Sequence, residues 1–321
     1  MNIIVEMMPG ALMVATPIVI AALGGLFSER SGVTNIALEG IMAVGAFASA
    51  TAVYFLEKNN FLLTSGLSGW VSLLFGIIAG TLFSILLAVA AINYRADQTI
   101  SGTALNMMAL GVTVFLCQII FNQQRTESFM RGISRVKEVP ILSNIPIIGD
   151  MFFKNIYPTA YVGFILVAVT YFIVFKTPFG LRLRSCGENP QASASVGINV
   201  FKMRYIGVLT SGALGGLAGG IMVLTSGTQF TIGSIHGVGF IALAALIFGK
   251  WKPLGVLGAS IFFGFSQTIG IYAGRIPLLA LLPSEFFSAI PYVFTIIALI
   301  VFSSKAVGPK AAGEIYDSGK R

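Results

Sequence analysis

Charge is scarce in this sequence. Asp, Glu, Lys and Arg make up 10% of its 321 residues, where a soluble domain carries about 25%, so an ordinary water-soluble domain is excluded. Histidine is nearly absent. His236 stands alone, and no His, Cys or carboxylate group has metal-ligand spacing. His236 reads as an interfacial residue at a helix end, and an enzyme has no support. Two cysteines, Cys117 in an apolar segment and Cys186 in a basic one, imply no disulfide framework. Glycine is abundant, yet no G-x-x-x-x-G-K-[ST] phosphate loop occurs. The chain is therefore not expected to hydrolyse ATP or to carry a cofactor. No Lys or Arg precedes the apolar stretch of MNIIVEMMPGALMVATPIVI, so this reads as a retained first span rather than a cleavable signal.

What is present is apolar sequence, 56% of the chain. Apolar windows fall near residues 8–27, 40–56, 70–93, 101–122, 157–175, 205–226, 237–249, 253–273 and 288–303. The stretch 276–287, IPLLALLPSEFF, is too short and too rich in proline to span alone. In lipid every backbone polar group needs an internal partner, so these windows predict helices. Their unbroken apolar runs lack the period-two alternation of a barrel. The expectation is an all-α polytopic membrane protein of about eight to ten transmembrane helices, forming one domain over residues 1–321.

Residues 176–204 form a polar island, KTPFGLRLRSCGENPQASASVGINVFKMR, holding five of the chain's twenty Lys and Arg against one acid, Glu188. Positive loops favour the cytoplasm. With this loop inside, Arg95, residues 28–39, Lys250, Lys252 and the tail 304–321 also fall inside, and the loop 123–156 falls outside. That outer loop carries five cations of its own, which strains the assignment. The net charge of +8 is thus explained by membrane loops, and no nucleic-acid partner is expected.

Several polar groups interrupt the apolar background. In SERSGVTNIALEG, Glu29 and Arg30 read as solvated loop residues, whereas Asn35 and Glu39 run straight into the next span. Polar groups at bilayer depth usually face a bundle interior or an aqueous cavity. Ser101, Thr103 and Asn106 open another span and could bond a polar solute, or equally bond a neighbouring helix. Gln118 and Gln267 favour the second role. In TSGALGGLAGG, Gly212, Gly216 and Gly220 share one helix face, with Ser211, Gly215 and Gly219 beside it. Such faces permit close helix packing. Finally, GVTNIALEG (32–40) and GVGFIALAA (237–245) share five of nine residues. One begins inside and the other outside, as in an inverted-topology repeat.

Within the polar island, Pro178 and Gly180 break the preceding helix. Asn189 and Pro190 then have the order of an N-cap and first turn, predicting a small helix along the membrane face. Residues 191–197, Gln-Ala-Ser-Ala-Ser-Val-Gly, resemble the Glu-Ala-Ala-x-x-x-Gly coupling motif of permease subunits of binding-protein-dependent ABC importers. GENPQASASVGINV resembles the GENP-x-A-A-x-x-x-G-I pattern of the ribose, branched-chain amino acid and nucleoside permease group. ERSGVTNIALEG and GFIALAALIFGKWKPLGVLGAS resemble segments of its nucleoside branch, whose partners are basic membrane lipoproteins. Gln191 and Ser193 depart from the motif's Glu and second Ala.

The resemblance implies a nucleoside permease subunit in the cytoplasmic membrane. Gly187, Glu188, Asn189, Pro190, Gln191, Ala192, Ser193 and Gly197 would couple it to a cytoplasmic ABC ATPase that holds ATP and Mg. An external substrate-binding lipoprotein would deliver cargo near the loop 123–156, and a second permease subunit would complete a heterodimeric pore. Asn35, Glu39, Ser101, Thr103 and Asn106 are the candidates for the substrate pathway. A ribose-type sugar permease stays open, as does an ion-coupled secondary transporter, for which Glu39 would be the coupling candidate.

Overall fold

The computed structural model describes residues 3–60, 66–140, 143, 148–272, 289, 293, 308–317 and 319. Its helices are α1 (Ile3–Arg30), α2 (Leu38–Lys58), α3 (Ser68–Ala88, continuing into a π-helical turn, Val89–Asn93) and α4 (Gln98–Phe121). After them come β1 (Val136–Glu138), α5 (Ile148–Phe152), β2 (Lys154–Ile156), α6 (Pro158–Lys176), α7 (Pro178–Glu188) and α8 (Pro190–Ser195). The described helices end with α9 (Val200–Ser226), α10 (Val238–Phe248) and α11 (Pro253–Tyr272). Among the described residues seven helices are long and apolar enough to cross a membrane. This is a polytopic helical membrane protein. The window at 237–249 is the 11-residue α10, about 16 Å long at 1.5 Å per residue, which is half of a hydrocarbon core of about 30 Å. The expected window at 288–303 and the fragment 276–287 lie, but for two residues, outside the described residues.

α1 is the central helix and packs against α6, α9, α10 and α11. The pairing is reciprocal. α2 and α3 pack on α9, α10 and α11 pack on α1, and α1 packs on α9. Exchanging α1–α2–α3 with α9–α10–α11 preserves these pairings, which is the pattern an internal repeat produces. The two small-residue faces of α9 divide the work. Gly215 and Gly219 meet α2 at Ile41 and Met42, while Gly212 and Gly216 meet α3 at Gly80 and Gly76. A Cβ on Gly216 would run into the Gly76 carbonyl, so glycine here sets the helix separation. Without a hydrophobic drive between helices in lipid, such contact supplies van der Waals attraction.

One end of the bundle is closed by the segment after α4. Phe129 N–H donates to Thr228 O (2.8 Å), and Ile133 N–H to Leu224 O (3.1 Å). The Glu57 carboxylate accepts from the N–H groups of Met130 (2.6 Å) and Arg131 (2.8 Å). A short antiparallel ladder pairs Val136 with Ile156 and Glu138 with Lys154. These strands, three residues each, are too short to leave an alternating pattern in the sequence.

Candidate functional site

The opposite end gathers the basic groups that the charge pattern assigned to one side. The end of α1, the α3–α4 corner, α7, α8, the turn after α10 and residues 308–317 meet there. α6 ends at Lys176 and Thr177 caps the next helix, its Oγ1 accepting from Gly180 N–H (3.1 Å). Pro178 therefore both ends α6 and starts α7, an 11-residue helix that its signature as a breaker concealed. Asn189 then caps α8, its Oδ1 accepting from Ala192 N–H at 2.9 Å. Gly197 closes α8 with φ of +84°, and nothing lies within 4 Å of the place a β-carbon would occupy there. Gln191 and Ala192 are exposed, whereas Pro190 and Ser193 are buried. α8 thus has an outer face free for a partner and an inner face seated on the bundle.

Glu29 and Arg30 are not solvated, contrary to the sequence expectation. α1 runs through both residues. Glu29 is buried and accepts from the Trp251 indole N–H. Arg30 pairs with Glu188 and donates to Trp251 O at 3.1 Å. The backbone of Gly187 lies so close to Arg30 that a Cβ would strike the Arg30 carbonyl. The residues flanking α8 are therefore fixed to the end of the central helix. Cys186 is buried between these elements, and burial pushes its thiol pKa up.

The second feature is a break at the centre of the bundle. Residues 31–37 leave α1 and turn back along α9. Gly32 lies beside Arg204 and the Asn35 amide donates to Ser211 Oγ (2.8 Å). Seven residues along α9 correspond to about 10 Å, so α2 starts well inside the bundle. α10 starts beside it. Glu39 accepts from Gly237 N–H and Gly239 N–H, each at 2.7 Å, and so satisfies the N-terminus of the half-length helix. Asn106 does the same for α2. Its Oδ1 accepts from Gly40 N–H (2.8 Å) and its amide donates to Ile36 O (2.9 Å). Irregular backbone at this depth persists only with such partners.

The structure thus brings Asn35, Glu39 and Asn106 together at the break and leaves Ser101 and Thr103 apart on α4. Thr103 is exposed and donates to Thr99 O of its own helix. Sequence reasoning missed Glu29, Arg30, Trp251 and Arg204. Arg204 is 1% exposed in α9, and an arginine near the start of a span was the one available signal that something must cover it.

Comparison with known proteins bears on this arrangement. A family model described as branched-chain amino acid transport system / permease component matches residues 7–299. The guanosine ABC transporter permease protein NupQ of Bacillus subtilis is 47% identical over 313 residues, covering 98% of this chain and 97% of that protein. The nucleoside ABC transporter permease protein NupC of Lactococcus lactis is 44% identical, covering 96% of each. A second Bacillus subtilis protein, the guanosine ABC transporter permease protein NupP, is 26% identical over 91% of this chain and 80% of its own length.

Proposed function

Because the chain belongs to the branched-chain amino acid transport system / permease component family, we propose that it is the membrane-spanning subunit of an ATP-driven importer for nucleosides. It is a transport component rather than an enzyme. The observation that carries the substrate class is the 47% identity to the guanosine permease over 98% of the chain. α8 supplies the coupling dock, with Gly187, Glu188, Asn189, Pro190, Gln191, Ala192, Ser193 and Gly197 as its contact and framing residues. ATP and Mg are held by the partner ATPase, and a substrate-binding protein delivers cargo at the end closed by residues 123–140. The face bearing α8 and residues 308–317 lies in the cytoplasm, as its basic groups favour. Two permeases of one organism, NupQ and NupP, are both similar to this chain, which supports a pore built from two different permeases.

Mechanistically, ATP binding to the partner does work only if it favours one state of the permease over another. Force applied to α8 reaches α1 through the close packing of Gly187 on the Arg30 backbone. α1 packs on both repeats, so its displacement shifts α9, α10 and α11 together. The break held by Glu39, Asn35 and Asn106 shapes the centre of the pathway.

The test is uptake of labelled guanosine by vesicles holding the chain with its cognate ATPase, second permease and binding protein. Uptake that needs ATP and the binding protein, and is competed by other nucleosides but not by free ribose, is expected. Competition by ribose alone would transfer the chain to the sugar permeases. Uptake without ATP that collapses with the proton gradient would make it a secondary transporter.

A further inference from the structure

Residues 308–317 lie across the α8 face as a strap with five separate attachments. Gly308 packs on the Trp251 indole. Ala311 N–H donates to Gly187 O at 2.8 Å. The Glu314 carbonyl accepts from Arg204 Nη1 at 3.0 Å. Tyr316, 7% exposed, sits in a pocket with Cys186, Val200 and Met203, edge-on to Phe201 at 5.3 Å. Asp317 pairs with Arg95 at 3.1 Å.

The strap also answers a burial problem. Arg204 is the largest fully buried side chain among the described residues, and a buried guanidinium is costly unless paired. Among the described residues it forms no ion pair, and its Nε and Nη2 find no acceptor. What faces it on the strap is Glu314, through its carbonyl and its side-chain charge, and the Tyr316 ring, 5.8 Å from its centre. Remove the strap and a buried charge at the root of α9 loses both.

The attachments tie four parts into one unit: the turn holding Trp251, the end of α7 next to α8, the root of α9, and the corner leading into α4, the last two also joined by the Tyr205 hydroxyl donating to Asn93 Oδ1 at 2.7 Å. We propose that this strap is a coupling element, with Tyr316 its anchor and the Arg95–Asp317 pair its link to α4. A displacement imposed on α8 is then shared with α4. Tyr316 is a positioning residue in this scheme, since it acts through Arg204 and Cys186. The proposal rests on α8 being the ATPase dock.

The experiment uses the complete transporter in vesicles and measures uptake and ATP hydrolysis together. Tyr316→Ala should lower the uptake per ATP about tenfold, within the usual range of coupling effects, while the ATPase stays bound and hydrolyses at its basal rate. Tyr316→Phe should restore uptake, because the ring does the packing. Arg95→Glu and Asp317→Lys should each lower the ratio, and the double exchange should recover most of it, since the exposed pair can be reversed without unfolding the chain. Normal uptake per ATP in Tyr316→Ala overturns the proposal. So does loss of ATPase binding in parallel with uptake, which would make the strap a fold element only, or a double exchange no better than its parents. Gly197→Val separates the two readings. If it leaves coupling intact, α8 is not the dock; if it abolishes coupling while Tyr316→Ala does not, only the strap fails.

Discussion

Arg30, the last residue of α1, stands 3.6 Å from Glu188, the last residue of α7. The two partners differ in burial: the Arg30 side chain is 15% exposed and that of Glu188 is 46%. Solvent reaches the Glu188 carboxylate and screens the bridge, so the pair itself contributes little stability. Arg30 also holds the Trp251 carbonyl, and its position fixes the approach of Gly187. Glu188→Gln should therefore leave protein level and uptake close to normal. Arg30→Ala should lower uptake severalfold while the protein stays in the membrane, as measured by uptake normalised to membrane-inserted protein. Equal effects of the two substitutions would show that the charge pair, not the wider contact of Arg30, carries the link.

Gly197 allows a test of α8 that separates backbone from bulk. Its φ of +84° costs most residues roughly 1–2 kcal/mol, Asn less than others. The space around it is open, so no neighbouring atom blocks a side chain and only the backbone penalty remains. Uptake should decline in the order Gly, Asn, Ala, Val, with Gly197→Arg inactive because its bulk projects into the docking face. ATPase stimulation by the binding protein should fall in the same order. A fully active Gly197→Arg would remove α8 from the coupling scheme.

Much of this arrangement is legible in the sequence, and the failures share a cause. The apolar windows place the spans because each helix carries its own hydrophobic signal. Asn189 and Pro190 announce α8 because capping is local. Glu29 passes for a solvated residue because its partner, Trp251, lies 222 positions away. The strap is hidden for the same reason, since AAGEIYD has a solvated composition until Arg204 is known to lie beneath it. The centre of the bundle is half visible. The echo between 32–40 and 237–245 is present, but the Glu39 contact with Gly237 that gives it meaning spans 198 positions.

That contact predicts the behaviour of Glu39. The carboxylate satisfies two N–H groups of α10 inside the bundle. Glu39→Gln keeps one acceptor and turns a donor toward the other N–H. Leaving a buried donor unpaired costs about 1–3 kcal/mol. Glu39→Gln should lower the thermal midpoint of the detergent-solubilised protein, and Glu39→Ala should lower it further. An unchanged midpoint in Glu39→Ala would mean that water or a rearranged backbone satisfies α10 instead.

The glycines of the bundle offer a comparison in which the sign of the effect is set by geometry. Ala is favoured over Gly in a helix by about 1 kcal/mol. At Gly111 and Gly258 nothing lies within 4 Å, so Ala should be neutral or stabilising. At Gly216 the added methyl meets the Gly76 carbonyl and the Gly80 backbone, and neither is a flexible side chain. Gly216→Ala should reduce folded protein sharply, as seen by fluorescence-detected size exclusion of tagged variants. A tolerated Gly216→Ala would place α3 farther from α9.

Sidedness can be read with thiol labels, because the native cysteines stay out of the way. Cys117 and Cys186 are both buried, and the raised pKa of Cys186 leaves it little thiolate. Two exposed positions mark opposite ends of the bundle: Val196, 74% exposed beside α8, and Met130, 90% exposed beyond α4. Met130→Cys should react with an impermeant maleimide in intact cells, and Val196→Cys only after the membrane is opened. The native chain should remain unlabelled in both conditions. The opposite pattern would invert the assignment and place α8 where no ATPase could reach it. Since the five cations of residues 123–156 argue for that inversion, this measurement decides between two charge clusters rather than restating one.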